Sequence, residues 1–174
     1  MTKRQFLNAV SNGGGDVLQA FLDLLAESGT RYCVIGGLAV NAYVEPVVSL
    51  DLDVVVAASD TEAVIAGAEK RGFKLERFEH SINLNSRNSD LRIQVQTDSR
   101  YQDFPARAEP ADVLGYTMNV AALEDVLQGK VWAASDPARR RSKRQKDLAD
   151  IARLIEAYPE LELRVPDPLR ERLR

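Results

Sequence analysis

The sequence predicts an α/β or α+β domain in which a mixed β-sheet is flanked by helices and closed by a helical C-terminal end. Three observations carry this expectation. Strand-like and helix-like runs interleave through most of the chain, the pattern of a layered α/β or α+β domain. The run from Asp90 to Gln96 alternates, with Leu91, Ile93 and Val95 on one face and Asp90, Arg92, Gln94 and Gln96 on the other, as a strand with one wet face does. Beyond residue 122 only helical periodicity remains. With 174 residues, 45% of them hydrophobic and 28% charged, the chain is long enough for one domain with a sizeable core.

Residues 1–15 end in Asn12-Gly13-Gly14-Gly15 and read as a flexible lead-in. Asp16 caps a helix whose apolar positions Val17, Leu18, Phe21, Leu24 and Leu25 recur at helical spacing until Gly29. Tyr32 to Ile35 follows as a strand. After Gly36-Gly37, residues 38–43 form a short helix that stops before Pro46, because the residue preceding proline disfavours helical torsions. Residues 48–57 form a strand that carries two aspartates. Asp60 or Ser59 caps a helix over 62–70, which Gly72 closes.

Shorter extended pieces follow at 73–78, 81–85 and 90–96. A loop is expected over 97–110 and a strand over 113–120. Two helices complete the pattern. The first covers 122–134; the second has Asp136 as cap, Pro137 at its first position and Pro159 just beyond its end. Residues 16–158 thus form the domain, and 159–174 a C-terminal tail.

Composition narrows the classes of function. No run of about eighteen apolar residues occurs and no hydrophobic segment follows the polar start, so neither a membrane span nor a signal peptide is expected, and a cytoplasmic location is the default. The single cysteine, Cys33, lies in an apolar strand, and the single histidine, His80, cannot build a His-rich metal site. The net charge of −3 is unevenly spread, since six of the eight residues from Arg139 to Lys146 are basic. Arg139, Lys143 and Lys146 share one helical stripe. It is either a solvated face or a footprint for phosphates.

Chemistry concentrates in Ser49-Leu50-Asp51-Leu52-Asp53-Val54-Val55-Val56. Residues i and i+2 of a strand point the same way, so the Asp51 and Asp53 carboxylates share a face. Charges in so apolar a setting need hydrogen bonds, ion partners or a metal. A divalent cation suits two adjacent hard oxygens, and the glycine turn at Gly36-Gly37 can hold a phosphate beside it. Gly36-Gly37 also suits a purely structural tight turn, since it lacks the spacing of a dinucleotide-binding or P-loop motif.

Lys130 falls inside the apolar stripe of Leu123, Val126, Leu127, Val131 and Ala134. It either snorkels outward or reaches an anion such as a nucleotide phosphate. Lys146 and Asp150 stand at i,i+4, the spacing of a surface ion pair.

Together, Val34-Ile35-Gly36-Gly37-Leu38-Ala39, Asp51-Leu52-Asp53, Leu127-Gln128-Gly129-Lys130 and Lys146-Asp147-Leu148-Ala149-Asp150-Ile151 resemble the nucleotidyltransferase fold of the polymerase-beta superfamily. Within it, the chain looks like the AbiEii-like toxin nucleotidyltransferases, over roughly residues 16–158. The order of the motifs carries the resemblance. It implies transfer of a nucleoside monophosphate from an NTP to an acceptor hydroxyl with Mg²⁺ (or Mn²⁺), and in the toxin branch an acceptor such as tRNA. By position, Asp51 and Asp53 would bind metal and belong to the catalytic set with Lys130 and Asp150. Gly36, Gly37, Ser49, Lys130, Lys146 and Asp147 would contact the nucleotide, and either Asp147 or Asp150 would complete the site. RNA would engage Arg139, Arg140, Lys143 and Lys146, and a cognate antitoxin would be a partner.

Two positions depart from the family pattern. Gln94 stands where a third carboxylate is expected, and a glutamine is no base. Asp90 and Asp98, on the same strand face, lie four residues away, about 13 Å at strand rise. The approach Pro46-Val47-Val48-Ser49 also lacks the Arg and Thr common there. A second reading follows from Gln94: a catalytically degenerate domain that binds nucleotide or protein without turnover.

Overall fold

A computed structural model describes residues 1–174. The first helix, α1 (Lys3–Val10), lies within the expected lead-in. Thr2 Oγ1 accepts from Gln5 N–H and Gln5 Oε1 accepts from Thr2 N–H, a reciprocal capping box that satisfies two donors at the helix start. Leu7 is buried, and the Arg4 guanidinium lies 4.4 Å from the centre of the Tyr116 ring while pairing with Asp16 at 2.7 Å. Asp16 caps α2 (Val17–Glu27) as predicted, accepting from Gln19 N–H.

β1 (Tyr32–Ile35) runs directly into α3 (Gly36–Val40), so the two glycines form the first turn of the helix itself. Then come β2 (Asp51–Val56), α4 (Thr61–Lys70), β3 (Lys74–Arg77), β4 (Ser81–Asn85) and β5 (Arg92–Gln96). Asp60 stands at the start of α4, but its side chain makes no capping bond there.

The stretch expected as a loop then a strand is a hairpin, β6 (Glu109–Val113) and β7 (Tyr116–Val120), preceded by two short 3₁₀ turns. Leu114 and Gly115 both have positive φ, the backbone that a two-residue hairpin turn requires. Gly115 was the available signal, obscured because Leu114 is an unusual residue for that conformation.

α5 (Leu123–Ser135) follows the expected range, whereas α6 (Arg141–Ala157) starts four residues later than Pro137 suggests. Asp136 accepts from Ala138 N–H and so caps a turn instead of the helix. Residues 159–174 contain a 3₁₀ turn at Pro159–Arg164 and α7 (Asp167–Leu173). Leu161, Val165 and Leu169 are buried in the common core, so this segment packs on the domain.

The strands form one seven-stranded sheet in the order β3-β4-β5-β2-β1-β7-β6, parallel at β2/β5 and β1/β7 and antiparallel elsewhere. Leu52, Val54, Ile93, Val95, Ile82 and Leu84 line a fully buried face. α2 and α4 pack together on that side, with Arg77 of β3 bonded to Glu62 of α4. α3, α5, α6 and α7 form the second helical group on the opposite side. Asp51 and Asp53 emerge on this second side, at the centre of the sheet, where the helical cover stops.

Candidate active site

Asp53 stands between its strand neighbours Ile35 and Gln94, and Asp51 lies two residues up the same face. Gly36 meets Asp53 from the end of β1. Its φ of +71° favours glycine, and a Cβ there would collide with Asp53 Oδ2 and lie 3.2 Å from its Cγ. Gly36 is therefore required by both backbone and space. Gly37 faces the other side of the site, where an added Cβ would lie 3.7 Å from Ser49 Oγ and 4.0 Å from Asp150 Oδ2. The first turn of α3 thus gathers Asp53, Ser49 and Asp150 around itself.

Asp53 is part-buried, and its carboxylate makes no hydrogen bond or ion pair with the protein yet keeps some access to solvent. Burial pushes its pKa up to about 6; the Lys130 charge opposes that rise, the Asp51 charge adds to it, and Arg139 and Lys143 draw it down further. Asp53 therefore carries a charge that the protein leaves under-compensated. Asp51 accepts from Arg92 Nε at 2.6 Å, but Arg92 is largely exposed, and such surface pairs contribute about 0–1 kcal/mol. A stronger cation can displace it.

No third carboxylate, histidine or cysteine converges with Asp51 and Asp53. Asp98 is held by Arg100 and Asp90 by Asn12, so neither replaces Gln94. The donor set still suits Mg²⁺, which is commonly bound by one or two carboxylates with waters and substrate phosphates completing the shell.

Lys130 is buried between α5 and α6. Its ammonium bonds to Asp150 Oδ2 at 2.8 Å and Asp147 Oδ1 at 3.0 Å. Burial lowers its pKa most strongly, yet Asp150 and Asp147 outweigh that effect and the net shift is upward. Asp147 is almost wholly buried and is also held by Arg139 Nε at 2.7 Å. Asp150 is held by Arg153 at 2.8 Å, and the same arginine bonds to the Glu45 carbonyl oxygen at 2.6 Å. The expected Lys146 to Asp150 pair is not formed, because Asp150 turns inward to Lys130 and Arg153, leaving Lys146 exposed.

Lys130 thus lies inside the site's ionic frame, and Arg139 is tied into it too. Arg140 and Lys146 are exposed and Lys143 is half-buried. The residues that sequence reasoning missed are Arg92, Arg153 and Tyr101. Arg153 was detectable at i+3 from Asp150, whereas Arg92 depends on strand register. Tyr101 packs with Phe104 and Trp132, and burial raises its pKa to about 12.

Paired aspartates at the centre of a mixed sheet, next to a glycine-led helix turn, define a nucleotidyltransferase-fold protein. The family model described as "Nucleotidyl transferase AbiEii toxin, Type IV TA system" matches residues 22–174, and the chain belongs to that family. Similar solved structures share the fold at low identity. ANT(2'')-Ia in complex with adenylyl-2''-tobramycin has a TM-score of 0.62 at 15% identity, covering 91% of this chain and 97% of that one. The lincosamide antibiotic adenylyltransferase LnuA, lincomycin-bound, has a TM-score of 0.57 at 15% identity, covering 82% and 99%. A putative nucleotidyltransferase from Thermotoga maritima has a TM-score of 0.54 at 14% identity, covering 86% and 93%. A sequence comparison with curated proteins gives no match. No helix is long and apolar enough to cross a membrane.

Proposed function

We propose that this chain transfers a nucleoside monophosphate from an NTP to an acceptor hydroxyl on RNA, such as tRNA, as the toxin half of a toxin and antitoxin pair. The observation that carries this is the under-compensated Asp53 carboxylate, set beside Asp51 and against Gly36. Asp51 and Asp53 would hold Mg²⁺ or Mn²⁺, which when bound would neutralise triphosphate charge and favour ionisation of the acceptor hydroxyl. Gly36, Gly37 and Ser49 would line the phosphates. Lys143, Lys146 and Arg140 would attract the triphosphate and the RNA backbone, and Asp147 and Asp150 would keep Lys130 and its charge in place behind the site.

In the transfer, the acceptor oxygen bonds to the α-phosphorus. The bond to the bridging pyrophosphate oxygen breaks, pyrophosphate leaves, and the hydroxyl proton goes to solvent. Gln94, in register with Asp53, cannot take that proton. It supports a second reading, a degenerate domain that binds nucleotide without turnover.

The test incubates purified protein with each α-labelled NTP, Mg²⁺ or Mn²⁺ and cellular RNA, beside Asp53→Asn. Label entering RNA only with the native chain is the expected result. Thermal stabilisation by one NTP without any label would favour the degenerate domain, and equal labelling by both chains would overturn the assignment of Asp53.

A further inference from the structure

Strand register bears on how many ions the site can take. β2 and β5 pair in parallel, which sets Gln94 level with Asp53 and Arg92 level with Asp51, on the face that carries both carboxylates. Neighbouring strands lie about 4.8 Å apart, so side chains at 92 and 94 border the space in front of Asp51 and Asp53. A pair of catalytic ions about 3.5–4 Å apart needs oxygen ligands that bridge and flank both. Here one bordering position holds a neutral amide and the other a guanidinium.

The remaining carboxylates nearby are committed elsewhere. Asp150 Oδ2, which approaches Gly37, is taken by Lys130 at 2.8 Å, and Asp150 Oδ1 by Arg153 at 2.8 Å. Asp147 Oδ1 is taken by Lys130 at 3.0 Å and Oδ2 by Arg139 at 2.7 Å. Asp98 is held by Arg100 and Asp90 by Asn12. On Asp51, Arg92 Nε occupies Oδ1 at 2.6 Å, whereas Oδ2 makes no bond within the protein. The oxygens left to a cation are Asp51 Oδ2 and the carboxylate of Asp53.

Resting on the metal-dependent transferase reading above, we infer that this chain binds a single divalent ion through Asp51 and Asp53, in place of a catalytic ion pair, and that Gln94 sets that number. One ion is well served, because Mg²⁺ is held by one or two carboxylates while phosphates and waters complete its shell. A second ion lacks its carboxylate, since the amide of Gln94 carries no charge to offset the loss of hydration. Arg92 adds a fixed positive charge beside Asp51, which repels another cation and can meet a nucleotide phosphate itself. Its pair with Asp51 is exposed and weak, so the missing carboxylate, more than Arg92, keeps the second ion out.

The test loads the native chain, Gln94→Glu, Gln94→Asp and Arg92→Gln with Mn²⁺ and a non-hydrolysable NTP analogue. Equilibrium dialysis counts the bound ions, and electron paramagnetic resonance shows whether they are neighbours, since Mn²⁺ ions about 4 Å apart couple magnetically. The native chain should bind one ion with the spectrum of an isolated Mn²⁺. Gln94→Glu should admit a second ion and give a coupled spectrum; Gln94→Asp serves if the longer side chain misplaces its carboxylate or the variant melts early. Arg92→Gln should still bind one ion, up to about fivefold more tightly when nucleotide is left out. A coupled spectrum from the native chain, a single ion in both Gln94 variants, or no bound ion at all overturns the inference. RNA labelling runs beside it. Label together with a coupled native spectrum keeps the transferase reading and overturns the single ion, whereas one ion in the native chain, a coupled pair in a Gln94 variant and no label do the reverse.

Discussion

At the scale of single residues, Asp53 sets the electrostatics of the site. Its folded pKa of about 6 lies above the ordinary 3.8, because burial and the Asp51 charge outweigh the attraction of Lys130, Arg139 and Lys143. The folded chain therefore holds this proton more tightly than the unfolded chain does. The stability it contributes is full below about pH 4 and is lost as pH rises through 6, about 3 kcal/mol in all. Asp53→Asn has no such proton to lose. Its unfolding free energy relative to the native chain should rise by up to about 3 kcal/mol between pH 4 and pH 7, measured in denaturant at each pH. Parallel pH curves for the two chains would refute this. By contrast Cys33, whose thiol burial raises to about 12, stays protonated and inert.

At the scale of elements, the ionic frame between α5 and α6 is the largest commitment of charge to the interior. The position of Lys130 in an apolar stripe implied either snorkelling or an anionic partner, and the structure shows the partner. Which anion it finds was not legible, since Asp147 and Asp150 lie on another helix and reach it only after the two helices pack. The local i,i+4 rule favoured Lys146 for Asp150, but a desolvated partner attracts more strongly than a solvated one. Removing Lys130 takes one of two cationic partners from each carboxylate, since Arg139 still holds Asp147 and Arg153 still holds Asp150. Lys130→Met should destabilise the fold by about 1 to 3 kcal/mol, less than a stranded charge would cost, and Asp147→Asn should cost less in that background than in the native chain. Urea unfolding of the two single variants and the double variant measures the coupling; strictly additive effects would show that the pair does not act as a unit.

At the scale of the whole molecule, the segment beyond Ala157 belongs to the core. Leu161, Val165 and Leu169 are almost wholly buried in it. At about 1.5–3 kcal/mol for each buried aliphatic side chain, a chain truncated after Ala157 should lose at least about 4 kcal/mol. Chemical unfolding of the truncated chain checks this, and unchanged stability would mean that the segment is a mere appendage.

Periodicity in the sequence determined much about this protein. Period two in β2 and β5 placed Asp51 and Asp53 on one face and Gln94 on the wet face of its strand, and the family resemblance marked Gln94 as the position of an expected carboxylate. Period 3.6 marked α2, α5 and the core face of α6, and the order of the motifs pointed to the family. These are local properties, because neighbouring side chains alone decide which way each residue faces. Only the tertiary structure decided that Gln94 lies level with Asp53, that Arg92 holds Asp51, and that Leu114-Gly115 turns an expected loop and strand into a hairpin. Each of these depends on strand register or on helices meeting across long stretches of chain, where the packing of the whole molecule outweighs local preference.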